Sequence, residues 1–246
     1  MSTRFKTAVI IGASSGIGAE LARRLAQQGT RTALVARREE NLAALQREIG
    51  VERALVYPHD VTNYGEIPAL FQQICRDLGG LDLIVYASGA MPRIEPTEYS
   101  FEKDLLAVEV CFLGAVAWLN CAAERFAQAG CGTIVGISSV AGDRGRRGYP
   151  AYGAAKAALT TFLESLRNRL CRLGVRVITI KPGPIATEMT EGLTGLPLMI
   201  PVEKAVEMMM QALEGGSREV YVPGIWKPIM AIIRRIPSPL FRKMKI

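Results

Sequence analysis

Short runs of consecutive apolar residues alternate along the chain with stretches whose apolar positions recur every three or four residues. KTAVIIG (6–12), TALVA (32–36), RALVYP (53–58), LDLIVYA (81–87), GTIVGIS (132–138), VRVITIK (175–181) and REVYV (218–222) read as strands. Ile17, Leu21 and Leu25 share a helical face that Gly29 closes, and Leu42, Leu45 and Ile49 mark a second helix. Longer helices are expected over about 101–128, 151–173 and 202–214. Strands that are apolar throughout, rather than at alternate positions, are buried on both faces, as in parallel sheets covered by helices. Repeated strand–helix units therefore predict the α/β fold class, as a doubly wound sheet of about seven parallel strands with helices on both faces. Residues 1–224 read as one domain, without repeat, low-complexity tract or linker.

The turn after the first strand carries Gly12, Ser14, Ser15, Gly16, Ile17 and Gly18, in a G-x3-G-x-G spacing that opens the first helix. Glycines allow a tight turn and close backbone approach, and a helix N-terminus attracts phosphate, so this strand–loop–helix fits a Rossmann-type dinucleotide site. The end of the second strand reads Ala36-Arg37-Arg38, where an acid would be expected for a bare ribose 2′-hydroxyl. A guanidinium pairs with a 2′-phosphate through a planar fork, so the expected cofactor is NADP(H). Arg37 is the first choice for that contact and Arg38 the second.

Tyr152 and Lys156 stand four residues apart in a predicted helix and so share a face. A nearby ammonium stabilises a phenolate and makes tyrosine useful as an acid or base. Ser139 ends a strand thirteen residues earlier, at the sheet edge where ligands of open α/β folds bind. Its hydroxyl is placed to hydrogen-bond a developing alkoxide.

With these motifs in this order, the sequence resembles the short-chain dehydrogenase/reductase family. The match runs through Gly12-x3-Gly16-Ile17-Gly18, His59-Asp60-Val61, Tyr86-Ala87-Ser88-Gly89, Ser139, Tyr152-x3-Lys156 and Pro182-Gly183-x3-Thr187, and covers residue 6 to about 224. The resemblance implies that Tyr152 protonates a carbonyl oxygen as hydride arrives, that Lys156 binds the nicotinamide ribose, and that Ser139 orients the substrate oxygen. It also implies that Asp60 and Val61 hold the adenine, that Ala87 and Gly89 lie by the adenosine ribose, and that Pro182, Ile185 and Thr187 position the carboxamide. Tyr149 lacks a lysine four residues on and is not expected in the proton chemistry; Ser138 reads as a strand residue. Two departures stand out: Tyr86-Ala-Ser-Gly89 replaces a family Asn-Asn-Ala-Gly, and Cys111 falls where many members place an asparagine that supports proton relay. Cys111 reads as a small buried helix residue.

Composition narrows the remaining choices. The chain has 246 residues, 30 basic and 23 acidic, with a formal net charge of +7, yet residues 225–246 hold six of those cations and no acid. The body carries 24 basic and 23 acidic groups, so the charge is no nucleic-acid signal. His59 is the single histidine, which excludes multi-histidine metal sites and leaves one partner for a Ser-His or Cys-His pair. Five cysteines (75, 111, 121, 131 and 171) without paired spacing suggest free thiols, no structural metal and a reducing, cytoplasmic setting. No signal peptide pattern precedes the glycine loop, and no unbroken run of 18 apolar residues predicts a spanning helix.

Specificity is expected between Thr187 and about Ile200, where Met189, Leu193, Leu196, Leu198 and Met199 form an apolar segment with Gly192 and Gly195 as hinges. Such a segment suits a lid over a hydrophobic substrate, and equally ordinary packing. The loop Asp143-Arg144-Gly-Arg146-Arg147 reads as solvated, or as a cradle for an acidic carrier or a phosphate. The tail, 225–246, places Ile225, Trp226, Ile229, Met230, Ile232, Ile233 and Ile236 on one helical arc and Lys227, Arg234 and Arg235 on the other. That amphipathic pattern fits peripheral contact with a membrane surface; docking on the body or on a neighbouring subunit fits it as well. The expected activity is interconversion of a ketone or aldehyde and an alcohol on a small apolar, lipid- or steroid-like substrate, by a homodimer or homotetramer. Reduction of a carrier-bound 3-oxoacyl thioester, or cofactor sensing with weak catalysis, are the alternatives.

Overall fold

A computed structural model describes residues 4–95, 97–193, 195–216 and 218–244. Lys245, counted in the basic tail, lies outside them. Seven strands, β1 (Thr7–Ile11), β2 (Arg31–Ala36), β3 (Ala54–Pro58), β4 (Leu83–Tyr86), β5 (Gly132–Ile137), β6 (Val175–Pro182) and β9 (Glu219–Val222), form one parallel sheet. Its order is β3-β2-β1-β4-β5-β6-β9, so the winding direction reverses between β1 and β4. A crevice opens at the strand carboxyl ends at such a switch point.

The strands are apolar on both faces because both are covered. Alternate residues point to opposite sides. Val9, Ile11, Ile84 and Tyr86 meet α3 (Ile67–Leu78), α5 (Gly114–Ala129) and α6 (Pro150–Leu170). Ala8, Ile10, Leu34, Leu83 and Val85 meet α1 (Gly16–Gln27), α2 (Glu39–Ile49) and α7 (Val202–Glu214).

Three features depart from the expected pattern. The predicted helix over 101–128 is α4 (Phe101–Val108), a π-helical turn at Glu109–Leu113 and α5. Phe101–Ala129 is thus one rod, long and apolar enough by length and composition to cross a membrane although it holds no unbroken apolar run of 18. Its Trp118, Leu119, Ala122 and Phe126 are fully buried against the sheet, which makes it a core helix. A second small parallel sheet, β7 (Ile185–Ala186) with β8 (Ile200–Pro201), closes the base of the segment between them. The tail is not a separate unit. It forms α8 (Trp226–Arg235) and the short α9 (Ser238–Phe241), and Trp226 and Met230 are buried against Val140 and Tyr221.

Candidate active site

The crevice beside β1 and β4 holds the glycine loop. Gly12 turns with φ +90°, and a side chain there would strike the Ser88 backbone, 2.6 Å from its nitrogen. The loop hands the chain to α1, whose first turn has no acid and no side-chain cap. Its N–H dipole end faces the crevice with no acid in the first turn of α1 itself, which fits a phosphate. Gly12, Ser14, Ser15, Gly16, Ile17 and Gly18 line this cleft together with Arg37, Arg38, Val61, Ala87, Gly89 and Thr187.

The two arginines occupy different positions along the cleft. Arg38 spans the phosphate loop, donating to Ser14 Oγ at 3.0 Å and Ser15 Oγ at 2.6 Å, and pairs with Glu188 at 2.8 Å. Arg37 lies further out, 3.5 Å from Asp60 Oδ2. Asp60 sits at the cleft's edge and also accepts from Thr62 N and Oγ at 3.0 and 2.9 Å. Burial alone would raise its carboxyl, but the Thr62 bonds and Arg37 outweigh burial and hold it below the ordinary range. His59 takes no part in a nucleophilic pair. It packs edge-on against Trp118, 5.6 Å between ring centres, with Glu66 at 3.5 Å, and burial lowers its pKa.

A second, largely apolar cavity adjoins the cleft and carries Ser139, Tyr152 and Lys156 in its wall, with Pro182 and Ile185. Ser139 starts a single turn, Val140–Asp143, and its Oγ accepts from Ala141 N at 3.1 Å. Ser138 is a structural neighbour, its hydroxyl donating to the Lys156 carbonyl at 2.9 Å. Lys156 is 3% exposed and donates to the Ile137 carbonyl at 2.8 Å. Its Nζ stands 5.7 Å from the Tyr152 ring centre. The expected lowering of the Tyr152 pKa is not what this geometry gives. Burial pushes the phenol up, Cys111 adds to that, and Ser139 opposes it. Burial pushes Lys156 down, with Cys111 opposing. For the phenol, burial outweighs the Ser139 hydrogen bond, so the proton rests on Tyr152.

The sequence profile of the family described as short chain dehydrogenase matches residues 6–195. The chain belongs to the short-chain dehydrogenase family. An uncharacterized oxidoreductase of Myxococcus xanthus is 34% identical over 240 residues, 96% of this chain and 95% of its own length. A short chain dehydrogenase from Burkholderia cenocepacia, solved in complex with NADP, superposes with a TM-score of 0.85 at 26% identity, covering 99% of this chain and 98% of that one. An actinorhodin polyketide ketoreductase variant solved with NADPH gives a TM-score of 0.78 at 25% identity, covering 89% and 95%.

In this short-chain dehydrogenase the segment after Thr187 divides its apolar residues. Leu193 and Leu196 line the second cavity, Met189 lines it while remaining as exposed as Met199, Leu198 also faces solvent, and Ile200 is spent on β8. Gly192 and Gly195 have φ of +74° and +71°, the left-handed turns a hinge glycine supplies. Thr187 caps the turn Glu188–Thr190 in a reciprocal pair with Thr190 and leans over the glycine loop. Cys111 is the small buried helix residue its sequence context suggests, fully buried in the π turn, accepting from Ala90 N at 3.3 Å beside Gly89.

Several site residues escaped the sequence reading. Met91 lies in the wall shared by cleft and cavity, and Arg93 reaches across to the Glu191 carbonyl at 2.7 Å. Tyr149, set aside from the proton chemistry by its sequence context, lines the second cavity with φ +53°, a strained backbone for a non-glycine residue. The polar tract 88–100 offered no periodicity to place them. The arginine loop is not simply solvated, because Arg144 donates to the Arg234 and Ile236 carbonyls at 2.9 Å and Arg147 to the Arg242 carbonyl at 2.6 Å.

Proposed function

We propose that the protein is an NADP(H)-dependent oxidoreductase that interconverts a ketone or aldehyde and an alcohol on an apolar substrate, with Tyr152 as general acid and base. One observation carries the reading: the apolar cavity bearing Ser139, Tyr152 and Lys156 shares the walls Ile17, Ala87, Gly89, Met91, Thr187 and Met189 with the glycine-loop cleft. A nucleotide held in that cleft would reach the cavity that carries the Ser139 and Tyr152 hydroxyls. Arg38 on the Ser14–Ser15 loop, with Arg37 beside it, supports the 2′-phosphate form, and two structural relatives hold NADP or NADPH.

A nicotinamide held there would supply hydride to the carbonyl carbon or take it from the alcohol. The chain's residues manage the proton and the charge. Tyr152 enters reduction as a neutral phenol and delivers its proton to the substrate oxygen. Ser139, its Oγ anchored on Ala141 N, donates to the same oxygen as negative charge develops. Lys156, fixed on the Ile137 carbonyl, is the cation nearest the resulting phenolate and favours its formation at that moment. The apolar walls exclude water from the carbonyl. Tyr152→Phe in the full chain, tested with NADPH on a panel of apolar ketones, removes the proton donor and lowers turnover by about a hundredfold or more. Wild-type turnover of none of the panel overturns the reading. Arg144 and Arg147 are engaged by tail carbonyls, so the arginine loop lends no support to a carrier protein as substrate.

Two partner readings accompany it. Phe101 is 78% exposed and Leu105, Leu106 and Leu113 are part-exposed along α4 and the π turn. This apolar face belongs to a core helix and is met by a second copy of the chain, as a homodimer or, with a further face, a homotetramer. On the tail, the body takes Trp226, Ile229, Met230 and Ile233, leaving Ile225 and Ile232 exposed seven residues apart on one helical rim. With Lys227, Arg234, Arg235, Arg242 and Lys243 exposed nearby, that rim fits peripheral contact with an anionic lipid surface.

A further inference from the structure

Asp143 precedes three arginines in the loop joining Ser139 to Tyr152, and they do different work. Arg144 and Arg147 cap carbonyls of the tail. Arg146 stands in the wall of the catalytic cavity with Ser139 and Tyr152. Among the described residues its one hydrogen-bond contact is Met230 Sδ at 3.7 Å, a weak acceptor, and its buried Nε has no partner. Asp143 is committed elsewhere, to Lys181 at 2.8 Å and to the Tyr221 hydroxyl at 2.7 Å. Burial lowers the Arg146 pKa, with Asp143 only partly opposing. A partly desolvated guanidinium without an anion is unfavourable, and this one is held in place by the fully buried Met230 of α8. A thioether does not compete with a carboxylate for the charge.

We propose that Arg146 is a specificity residue that receives a carboxylate carried by the apolar ketone or alcohol on which Tyr152 acts. The substrate class is then an apolar keto acid and its hydroxy acid, with the chain against Leu193 and Leu196 and the acid at Arg146. This rests on the cavity being the reaction site.

The test compares each of several apolar keto acids with its methyl ester, using NADPH and the full chain, in wild type, Arg146→Met and Arg146→Lys. The acid-to-ester ratio of kcat/KM is expected at roughly 10- to 100-fold in wild type, the size of one charge-assisted hydrogen bond. It falls towards one in Arg146→Met and is partly kept in Arg146→Lys. A wild-type ratio near one, or a ratio retained in Arg146→Met, overturns the proposal. A binding arm is independent of turnover: decanoate raises the Tm of the NADPH-loaded chain more than decanol does, and Arg146→Met abolishes the difference. Equal shifts in wild type overturn the proposal, whereas failure of every ketone with unequal shifts refutes the reduction reading and leaves Arg146 standing.

Discussion

Trp226→Ala tests whether the tail is part of the catalytic body. Trp226 is 4% exposed, and a side chain at Gly183 would run into its indole, so the ring lies flat on the turn that carries Pro182, Ile185 and Thr187. Truncating a buried tryptophan costs about 3–5 kcal/mol. Two observations point to the lower end. Its neighbours Ile229 and Ile233 are only half-buried and can close over the gap, and the indole Nε1 is buried without a partner, so its removal recovers about 1 kcal/mol of desolvation. A loss of about 3 kcal/mol in a domain of this size lowers Tm by roughly 6–12 °C. Thermal unfolding followed by circular dichroism measures it. A second substitution sharpens the reasoning: Gly183→Ala overpacks the indole in the wild-type background and has room in Trp226→Ala, so the double mutant is more stable than the sum of its parts. A fall in Tm under 2 °C for Trp226→Ala, or additive effects of the two changes, refutes the docking of α8 on the cofactor turn.

Four further outcomes follow from the geometry. Because burial keeps Tyr152 protonated, kcat/KM for ketone reduction stays level from about pH 6 to 9, whereas alcohol oxidation, which needs the phenolate, rises about tenfold per pH unit; reduction falling with a midpoint near neutrality contradicts this. Arg38→Leu weakens NADPH binding about 10- to 100-fold by fluorescence titration, with less effect on NADH and more than Arg37→Leu, since Arg38 alone bridges Ser14 and Ser15; the reverse ranking restores Arg37 as the main contact. Light scattering after gel filtration gives at least twice the mass of one chain, and Phe101→Ser with Leu105→Ser shifts it down; a wild-type monomer removes the dimer face. Vesicles containing phosphatidylglycerol co-sediment the wild type more than Ile225→Ser/Ile232→Ser, and equal pelleting removes the membrane rim; these variants serve better than truncation, which would strip Trp226 and Met230 from the core.

Much of this was legible in the chain itself. Each strand of the main sheet is a contiguous apolar run, so its burial on two faces is written locally. The glycine loop, Ser139 and the Tyr152–Lys156 pair sit at fixed offsets within single strand–turn–helix units, where backbone geometry alone brings them to the crevice. Long polar side chains were not legible in this way. Arg37 and Arg38 are adjacent in sequence, and only the packing of α2 against the glycine loop decides that Arg38 reaches the serines.

The tail makes the same division. Its amphipathic period is a local property and predicts a helix with one apolar face. What covers that face depends on surfaces more than forty positions away, Val140 and Gly183 among them, and on carbonyls that Arg144 and Arg147 happen to reach. The direction of the Tyr152 and Lys156 shifts is likewise set by desolvation, which depends on everything packed around the pair. The sequence by itself determined the sheet, the glycine loop and the offsets that bring Ser139, Tyr152 and Lys156 into one cavity wall, because each is encoded within a few turns of chain. Only the tertiary structure decided which arginine reaches the serines of the glycine loop, that Arg146 turns towards the second cavity, and that the basic tail packs behind that cavity on Val140 and Gly183, because burial and charge pairing are properties of the assembled surfaces.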